Sequence, residues 1–269
     1  MAEKMRVCLA GATGWTGCAL VAAIRASDAF QVTSAVARRS AGLDLGLAIG
    51  GSVLGVTVSA RIQEALKAET DVLIDYSHPT VVKDHVLTAL RNRVPAVIGT
   101  SGLSSSDFQE IQKAAEAQGL GVIAAGNFSL TAALAKHFSL IAARYLPHWE
   151  ILDYAQADKP DVPSGTTQEL AEGLACVRRN EMVKPVDQLL GPKEARGASV
   201  AGTQIHSIRL PGYTLAFETL FGLPDERLTI RHDAGTGAQP YVAGTLLAAE
   251  RVLKVQGLIR GLDTLLFRE

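Results

Sequence analysis

Cysteine is scarce in this 269-residue chain: only Cys8, Cys18 and Cys176 are present. An odd count at wide spacing excludes a disulfide framework, and the three read as small core residues in a reducing compartment. Aromatic residues are only 5% of the chain, which argues against stacking platforms for single-stranded nucleic acid. Neither sign of charge is in excess, with 26 basic and 27 acidic residues and a net charge of -1. A general nucleic-acid binder needs a basic face for phosphates, so that class is excluded too. Long apolar runs are also missing. The longest uncharged stretch, Ala117 to Ala135, contains Gln118, Asn127, Ser129 and Thr131. It is not the apolar span of ~20 residues that a membrane helix needs. Val7 to Ala12 is apolar, but a secretory signal requires ~7–15 apolar residues and a cleavage site behind them. The expectation is a cytoplasmic protein with no nucleic-acid or membrane partner.

Core-forming material is abundant. Apolar residues are 48% and charged residues 20%, enough to offset chain entropy in a packed fold. At ~100–200 residues per domain, the length suggests one large or two modest domains. The first half alternates short apolar runs with helical spacing. Strands are expected at Arg6–Ala10, Phe30–Val36, Val56–Ser59, Asp71–Ser77, Pro95–Gly99 and Gly121–Ala125. Helices are expected at Trp15–Ala26, Val81–Leu90 and Ser106–Ala117. Continuous apolar strands separated by helices predict a parallel sheet covered on both faces. The second half is expected to hold a helix at Leu130–Tyr145, a strand at Trp149–Ala155 and a helix starting near Ser164. Three strands then follow at Thr203–Leu210, Thr214–Phe221 and Arg227–His232, before a closing helix at Pro240–Leu253. In the second of these strands Leu215, Phe217, Thr219 and Phe221 share one face, as in an open antiparallel sheet. A nucleotide-type α/β domain followed by an α+β domain is the expected fold, with the boundary near Asn127.

Gly11, Gly14 and Gly17 are spaced G-x-x-G-x-x-G, directly after the first strand and at the start of a helix. With Ala12, Thr13, Trp15 and Thr16 they form a loop whose backbone N–H groups can approach a pyrophosphate. The same pattern can also be a tight turn without a ligand; its place at the head of a βαβ unit favours dinucleotide binding. In such a unit, the residue that reads the adenosine ribose stands about 20 residues further on. Here that stretch reads Val36-Ala37-Arg38-Arg39-Ser40, with no carboxylate. Arg38 and Arg39 are either an ordinary solvated pair or a grip for the 2′-phosphate of NADP(H). Gly99, Thr100 and Ser101 end a later strand, on the side where parallel sheets bind ligands.

Asp158-Lys159-Pro160-Asp161-Val162-Pro163-Ser164-Gly165-Thr166 resembles the substrate loop of the dihydrodipicolinate reductase family. That family's loop has a lysine, then an aspartate, then Pro-Ser-Gly-Thr. The resemblance extends through the glycine loop, Asp71–Ser77 with Pro79, Val97–Gly102 and Gly126–Ser129. It implies a Rossmann-like domain over residues 1–127 plus 236–269, and a substrate-binding and oligomerisation domain over 128–235. It further implies hydride transfer from NAD(P)H to the C=N bond of a small cyclic carboxylated imine, in lysine and diaminopimelate biosynthesis, by a homotetramer. NADPH is the expected cofactor, with NADH second. The residues expected at the cofactor are Gly11, Ala12, Thr13, Gly14, Trp15, Thr16, Gly17, Arg38, Arg39, Ser77, Gly99, Thr100, Asn127 and Phe128. Those expected at the substrate are Ser101, Gln156, Lys159, Ser164, Gly165 and Thr166, with Lys159 also catalytic and no metal. From the residues alone, the loop is a carboxylate site at a helix N-terminus, with Thr166 and Thr167 supplying hydroxyls; or Ser164 simply caps the helix and Lys159 is solvated.

One departure stands out. Ala155 and Gln156 occupy the positions of a histidine pair usual in the family, and neither delivers a proton. A basic residue of the family's late loop is likewise displaced by Gly235-Thr236-Gly237. Lys159 is then the best remaining proton donor, with Tyr154 behind it, while Asp153 and Asp158 could attract a cationic iminium. Two further readings stay open: a divergent paralogue reducing another imine or a carbonyl, and a nucleotide-binding regulatory pseudo-enzyme. His206 and His232 lie on expected strands and read as packed or solvated residues.

Overall fold

The computed structural model describes residues 3–267. Residues 1, 2, 268 and 269, at the ends of the expected first domain, lie outside them. Two compact units form: Met1–Leu130 with Ala238–Glu269, and Thr131–Gly237. The divisions follow Leu130 and Gly237, against expected divisions after residues 127 and 235.

The first unit runs β1 (Met5–Ala10), α1 (Trp15–Arg25), β2 (Phe30–Val36), α2 (Leu45–Ala48), β3 (Val58–Ser59) and α3 (Ile62–Ala65). It continues with β4 (Val72–Asp75), α4 (Pro79–Arg91), β5 (Ala96–Ile98), α5 (Ser105–Gln118) and β6 (Gly121–Ala124). The second unit holds most of α6 (Leu130–Ala143), then β7 (Trp149–Ala155), α7 (Gly165–Val177), β8 (Ala198–Val200), β9 (Thr203–Arg209), β10 (Leu215–Leu223) and β11 (Glu226–Ala234). The chain then returns to the first unit as α8 (Gln239–Val252), β12 (Gly257–Arg260) and α9 (Leu262–Phe267).

In the first unit a seven-stranded sheet has the order β12-β6-β5-β4-β1-β2-β3, and every pairing is parallel. Continuous apolar strands are what such a doubly covered sheet requires, and all four residues of β4 are buried. The helices start where the chain supplies caps. His78 caps α4, with Pro79 in its first turn. Ser104 caps α5 in a reciprocal capping box with Asp107, so the helix starts one residue before the expected Ser106. That box and the Lys83 ammonium hold the Asp107 carboxyl at about 2.

The second unit corrects the expected antiparallel sheet. Its order is β11-β10-β7-β9-β8. The β7–β9 pairing is parallel, because α7 crosses over between those strands. The other pairings are antiparallel. The expected apolar face of β10 packs inward: Phe217 and Phe221 join Trp149, Ile151, Leu170 and Leu174 in the core of this unit. Cys8 is buried as expected, but Cys176 near the end of α7 is exposed and is not a core residue.

Candidate active site

The glycine loop follows from the backbone geometry. Gly11 has φ +78°, and an added Cβ would stand 2.1 Å from the Tyr76 carbonyl oxygen. Only glycine meets both conditions. Gly11 N–H donates to Val36 O at 2.9 Å, which ties the loop to the end of β2. Gly14 is exposed at the N-cap of α1, and Gly17 is buried against the loop. Trp15 and Thr16 open the helix, so their N–H groups precede its hydrogen-bonded ladder. Such donors and the positive end of a helix suit an anion. Ala12 is fully buried and Thr13 partly so; they contribute backbone to the loop.

Arg38 and Arg39 occupy a single 3₁₀ turn immediately after β2. Both are exposed. The turn stands at the carboxyl end of its strand, where a parallel sheet reads the adenosine half of a dinucleotide.

The ends of β4 and β5 carry a polar network that sequence reasoning missed. Asp75 is fully buried. Its Oδ1 accepts from Ser77 N–H at 2.9 Å, Ser77 Oγ–H at 2.7 Å and Thr100 Oγ1–H at 2.8 Å. His85, on α4, meets Oδ2 through Nδ1 at 2.8 Å. The signal was a carboxylate ending an otherwise apolar strand, Val72-Leu73-Ile74-Asp75. Beside the network, the Tyr76 ring lies against Gly99, where an added Cβ would stand 2.2 Å from it. The Tyr76 hydroxyl shares a 2.6 Å hydrogen bond with Thr245, and burial raises its pKa. Ser101 is exposed. Asn127 Oδ1 accepts from Ser129 N–H at 2.8 Å, shaping the turn before α6. Phe128, 1% exposed and edge-on to Tyr76, has its side chain in the core of the unit.

The loop of the second unit is built around Asp153. This carboxylate is 1% exposed. Its Oδ2 accepts from Ser164 N–H at 2.9 Å, Ser207 Oγ at 3.0 Å and Arg209 Nη2 at 2.8 Å. Arg209 Nη2 also donates to the Asp161 carbonyl at 2.8 Å, fastening the loop to the sheet. Asp153 is therefore committed to an arginine and is not the open carboxylate expected to attract an iminium. The sequence of β7 shows the carboxylate but carries no signal of its partner. Ser164 caps α7, accepting from Thr167 N–H. Thr167 is buried, and its hydroxyl donates to the Ser164 carbonyl at 3.0 Å, so it is not the outward hydroxyl expected. Gly165 and Thr166 form the first turn of α7, partly exposed. Lys159 pairs with Asp161 inside the same loop. Gln156 is exposed, while Ala155 is fully buried. His206 meets Glu150 at 2.7 Å, and His232 stacks on Phe217 with its pKa lowered by burial. Both histidines are packed, as expected. Among the described residues, no cluster of His, Cys, Asp and Glu could hold a metal ion, and no helix is long and apolar enough to cross a membrane.

Residues 5–128 match the profile "Dihydrodipicolinate reductase, N-terminus", and residues 128–266 match "Dihydrodipicolinate reductase, C-terminus". Among curated relatives, the 4-hydroxy-tetrahydrodipicolinate reductase of Moorella thermoacetica is 34% identical over 99% of both chains. That of Bacillus pumilus is 35% identical over 98% of both. Among solved structures, a dipicolinate-bound dihydrodipicolinate reductase from a Paenisporosarcina species superposes with a TM-score of 0.80 at 30% identity, covering 97% of this chain and 99% of that one. An amine dehydrogenase from Mycobacterium smegmatis, at 15% identity and a TM-score of 0.65, shares the fold alone. With both halves matched and full-length relatives above 30% identity, this chain belongs to the dihydrodipicolinate reductase family.

Proposed function

We propose that this chain is an NADP(H)-dependent reductase acting on the C=N bond of a small cyclic imine that carries carboxylates, in lysine and diaminopimelate biosynthesis. The observation that carries the reading is the glycine loop between β1 and α1, with Gly14 and Trp15 exposed at the helix start, while exposed Arg38 and Arg39 follow β2. Donors suited to a pyrophosphate and cations suited to a 2′-phosphate therefore sit on neighbouring strands of one sheet. The residues present fit the dinucleotide. When bound, its reduced nicotinamide supplies hydride to the imine carbon.

The chain's own residues do the rest. The first turn of α7 and Lys159 hold the substrate carboxylates through helix N–H groups and positive charge. Arg209 and Asp153 keep that loop in place. Lys159 supplies a proton where the imine is neutral. The 4-hydroxy-tetrahydrodipicolinate for which the relatives are named and the dipicolinate bound by the Paenisporosarcina enzyme are both dicarboxylates, in keeping with such a site. We assign the assembly as a cytoplasmic homotetramer on the family resemblance; light scattering of the purified protein checks the mass. The test of function is oxidation of NADPH, followed at 340 nm, in the presence of the relatives' substrate and of other cyclic imino acids.

A second reading is favoured by Ala155 and Gln156. One is fully buried and the other has no acidic proton at neutral pH. An enzyme built this way reduces imines that are already protonated. Turnover of basic imines without the relatives' substrate would establish this reading over the first. Binding of NADPH with no turnover of any imine would make the chain a regulatory nucleotide binder.

A further inference from the structure

The hydroxyls of Ser77 and Thr100 face a buried carboxylate, and this limits what they can offer a ligand. A hydroxyl has one proton to donate and two lone pairs. Ser77 gives its proton to Asp75 Oδ1 at 2.7 Å, and Thr100 gives its own to the same oxygen at 2.8 Å. His85 holds the other oxygen at 2.8 Å. Asp75 is fully buried, whereas Ser77 and Thr100 are both half-buried and reach the surface. The wall they form therefore presents lone pairs, with a carboxylate behind it.

Strand order gives this wall a place along a bound dinucleotide. β4 and β5 lie on one side of β1, and β2 lies on the other. The adenosine half is read at the end of β2, and the pyrophosphate lies over the glycine loop after β1. The nicotinamide half then runs toward the ends of β4 and β5. We propose that Asp75 is a positioning residue for that half. By holding both hydroxyl protons, it makes Ser77 and Thr100 acceptors for an N–H or O–H donor of the nicotinamide nucleoside. The same arrangement rejects phosphate, which brings only acceptors and negative charge to lone pairs and a carboxylate. The glycine loop offers the reverse, backbone N–H donors at the positive end of α1 and no carboxylate. The two ends of the crevice thus differ in polarity, and that difference sets the direction in which the cofactor lies. This inference rests on the dinucleotide reading above. The carboxamide N–H group and the ribose hydroxyls share the required chemistry.

Calorimetric titration of the full chain tests it with three ligands: NADPH, its reduced 3-acetylpyridine analogue, which lacks the carboxamide N–H, and 2′,5′-ADP, which is the adenosine half alone. Thr100→Val and Ser77→Ala are each expected to weaken NADPH about three- to tenfold, and to leave 2′,5′-ADP unchanged. If the carboxamide is the donor, the wild type binds NADPH more tightly than the analogue, and Thr100→Val erases the difference. If the ribose hydroxyls are the donors, NADPH and the analogue weaken together. Both patterns support the assignment. Asp75→Ala removes the acceptor, frees the hydroxyl protons and should also weaken NADPH selectively; the two hydroxyl variants keep the buried carboxylate and carry the test if Asp75→Ala does not fold. Unchanged NADPH affinity in both hydroxyl variants, or an equal loss for 2′,5′-ADP, overturns the inference. A wild type that binds neither NADPH nor 2′,5′-ADP overturns the dinucleotide reading instead.

Discussion

Asp153 and Arg209 form a buried ion pair, Oδ2 to Nη2 at 2.8 Å, with side chains 1% and 13% exposed. The same guanidinium nitrogen donates to the Asp161 carbonyl, so one side chain joins β7, β9 and the substrate loop. Removing one partner of a buried pair strands the other and costs about 3–5 kcal/mol. Arg209→Met is therefore expected to lower unfolding free energy by that order in urea denaturation, and to weaken dicarboxylate binding more than NADPH binding. Arg209→Lys should fall between, since an ammonium keeps the charge without the planar fork. A urea midpoint for Arg209→Met equal to that of the wild type would show that the loop is held by something else.

The exposed pair Arg38 and Arg39 sets the expected cofactor preference. A well-formed hydrogen bond to a charged group contributes ~1.5–3 kcal/mol. The wild type should bind NADPH more tightly than NADH by about tenfold or more. Arg38→Ala combined with Arg39→Ala should remove most of that ratio while leaving NADH affinity close to the wild type. Fluorescence titrations of both nucleotides measure it; an unchanged ratio in the double variant refutes the assignment.

Much of this architecture was legible in the chain itself, and the reasons differ by element. β2 and β7 have the expected bounds, because in each a strand-like stretch rich in apolar residues gives way to a polar or charged segment, at Arg38-Arg39 and at Gln156-Ala157-Asp158. The glycine loop was legible because backbone geometry leaves glycine as the one choice at Gly11. The short helices α2 and α3 were missed: four residues each is too short for helical periodicity to register. The parallel β7–β9 pairing was missed because alternation along a strand does not specify the direction of its neighbour. Asp153–Arg209 joins residues 56 apart in sequence, and Asp75–His85 joins the end of a strand to the helix after it; each carboxylate was visible in the chain, but its partner was not.

Thr166 lies in the first turn of α7, where the helix dipole and N–H groups favour an anion. Thr166→Val removes a hydroxyl and keeps the shape. It should weaken a dicarboxylate inhibitor such as dipicolinate several-fold and leave NADPH affinity nearly unchanged. Equal losses for both ligands, measured by calorimetry, would point to a disturbed fold.

Lys159 pairs with Asp161 in the loop, and its ammonium carries both a charge and a proton. Proton delivery by a positioned group contributes about 10²–10⁴-fold to rate. Lys159→Met should lower kcat/KM within that range for a neutral imine, and less for one already protonated. On the second reading, in which the imine arrives already protonated, the wild type should across pH turn over basic, readily protonated cyclic imines faster than the relatives' substrate. Family-level turnover of that substrate, indifferent to Lys159→Met, would sink both the role of the lysine and the substrate shift.

The central claim is hydride transfer from a nicotinamide dinucleotide to an imine carbon. The most direct measurement supplies NADPH deuterated at C4 of the nicotinamide, on its transferable face, with the relatives' substrate and a panel of cyclic imino acids, and reads the products by mass spectrometry. The account predicts one deuterium in the product of at least one imine, bound at the former C=N carbon and formed in step with NADPH oxidation. NADPH binding with no deuterium in any product would contradict it.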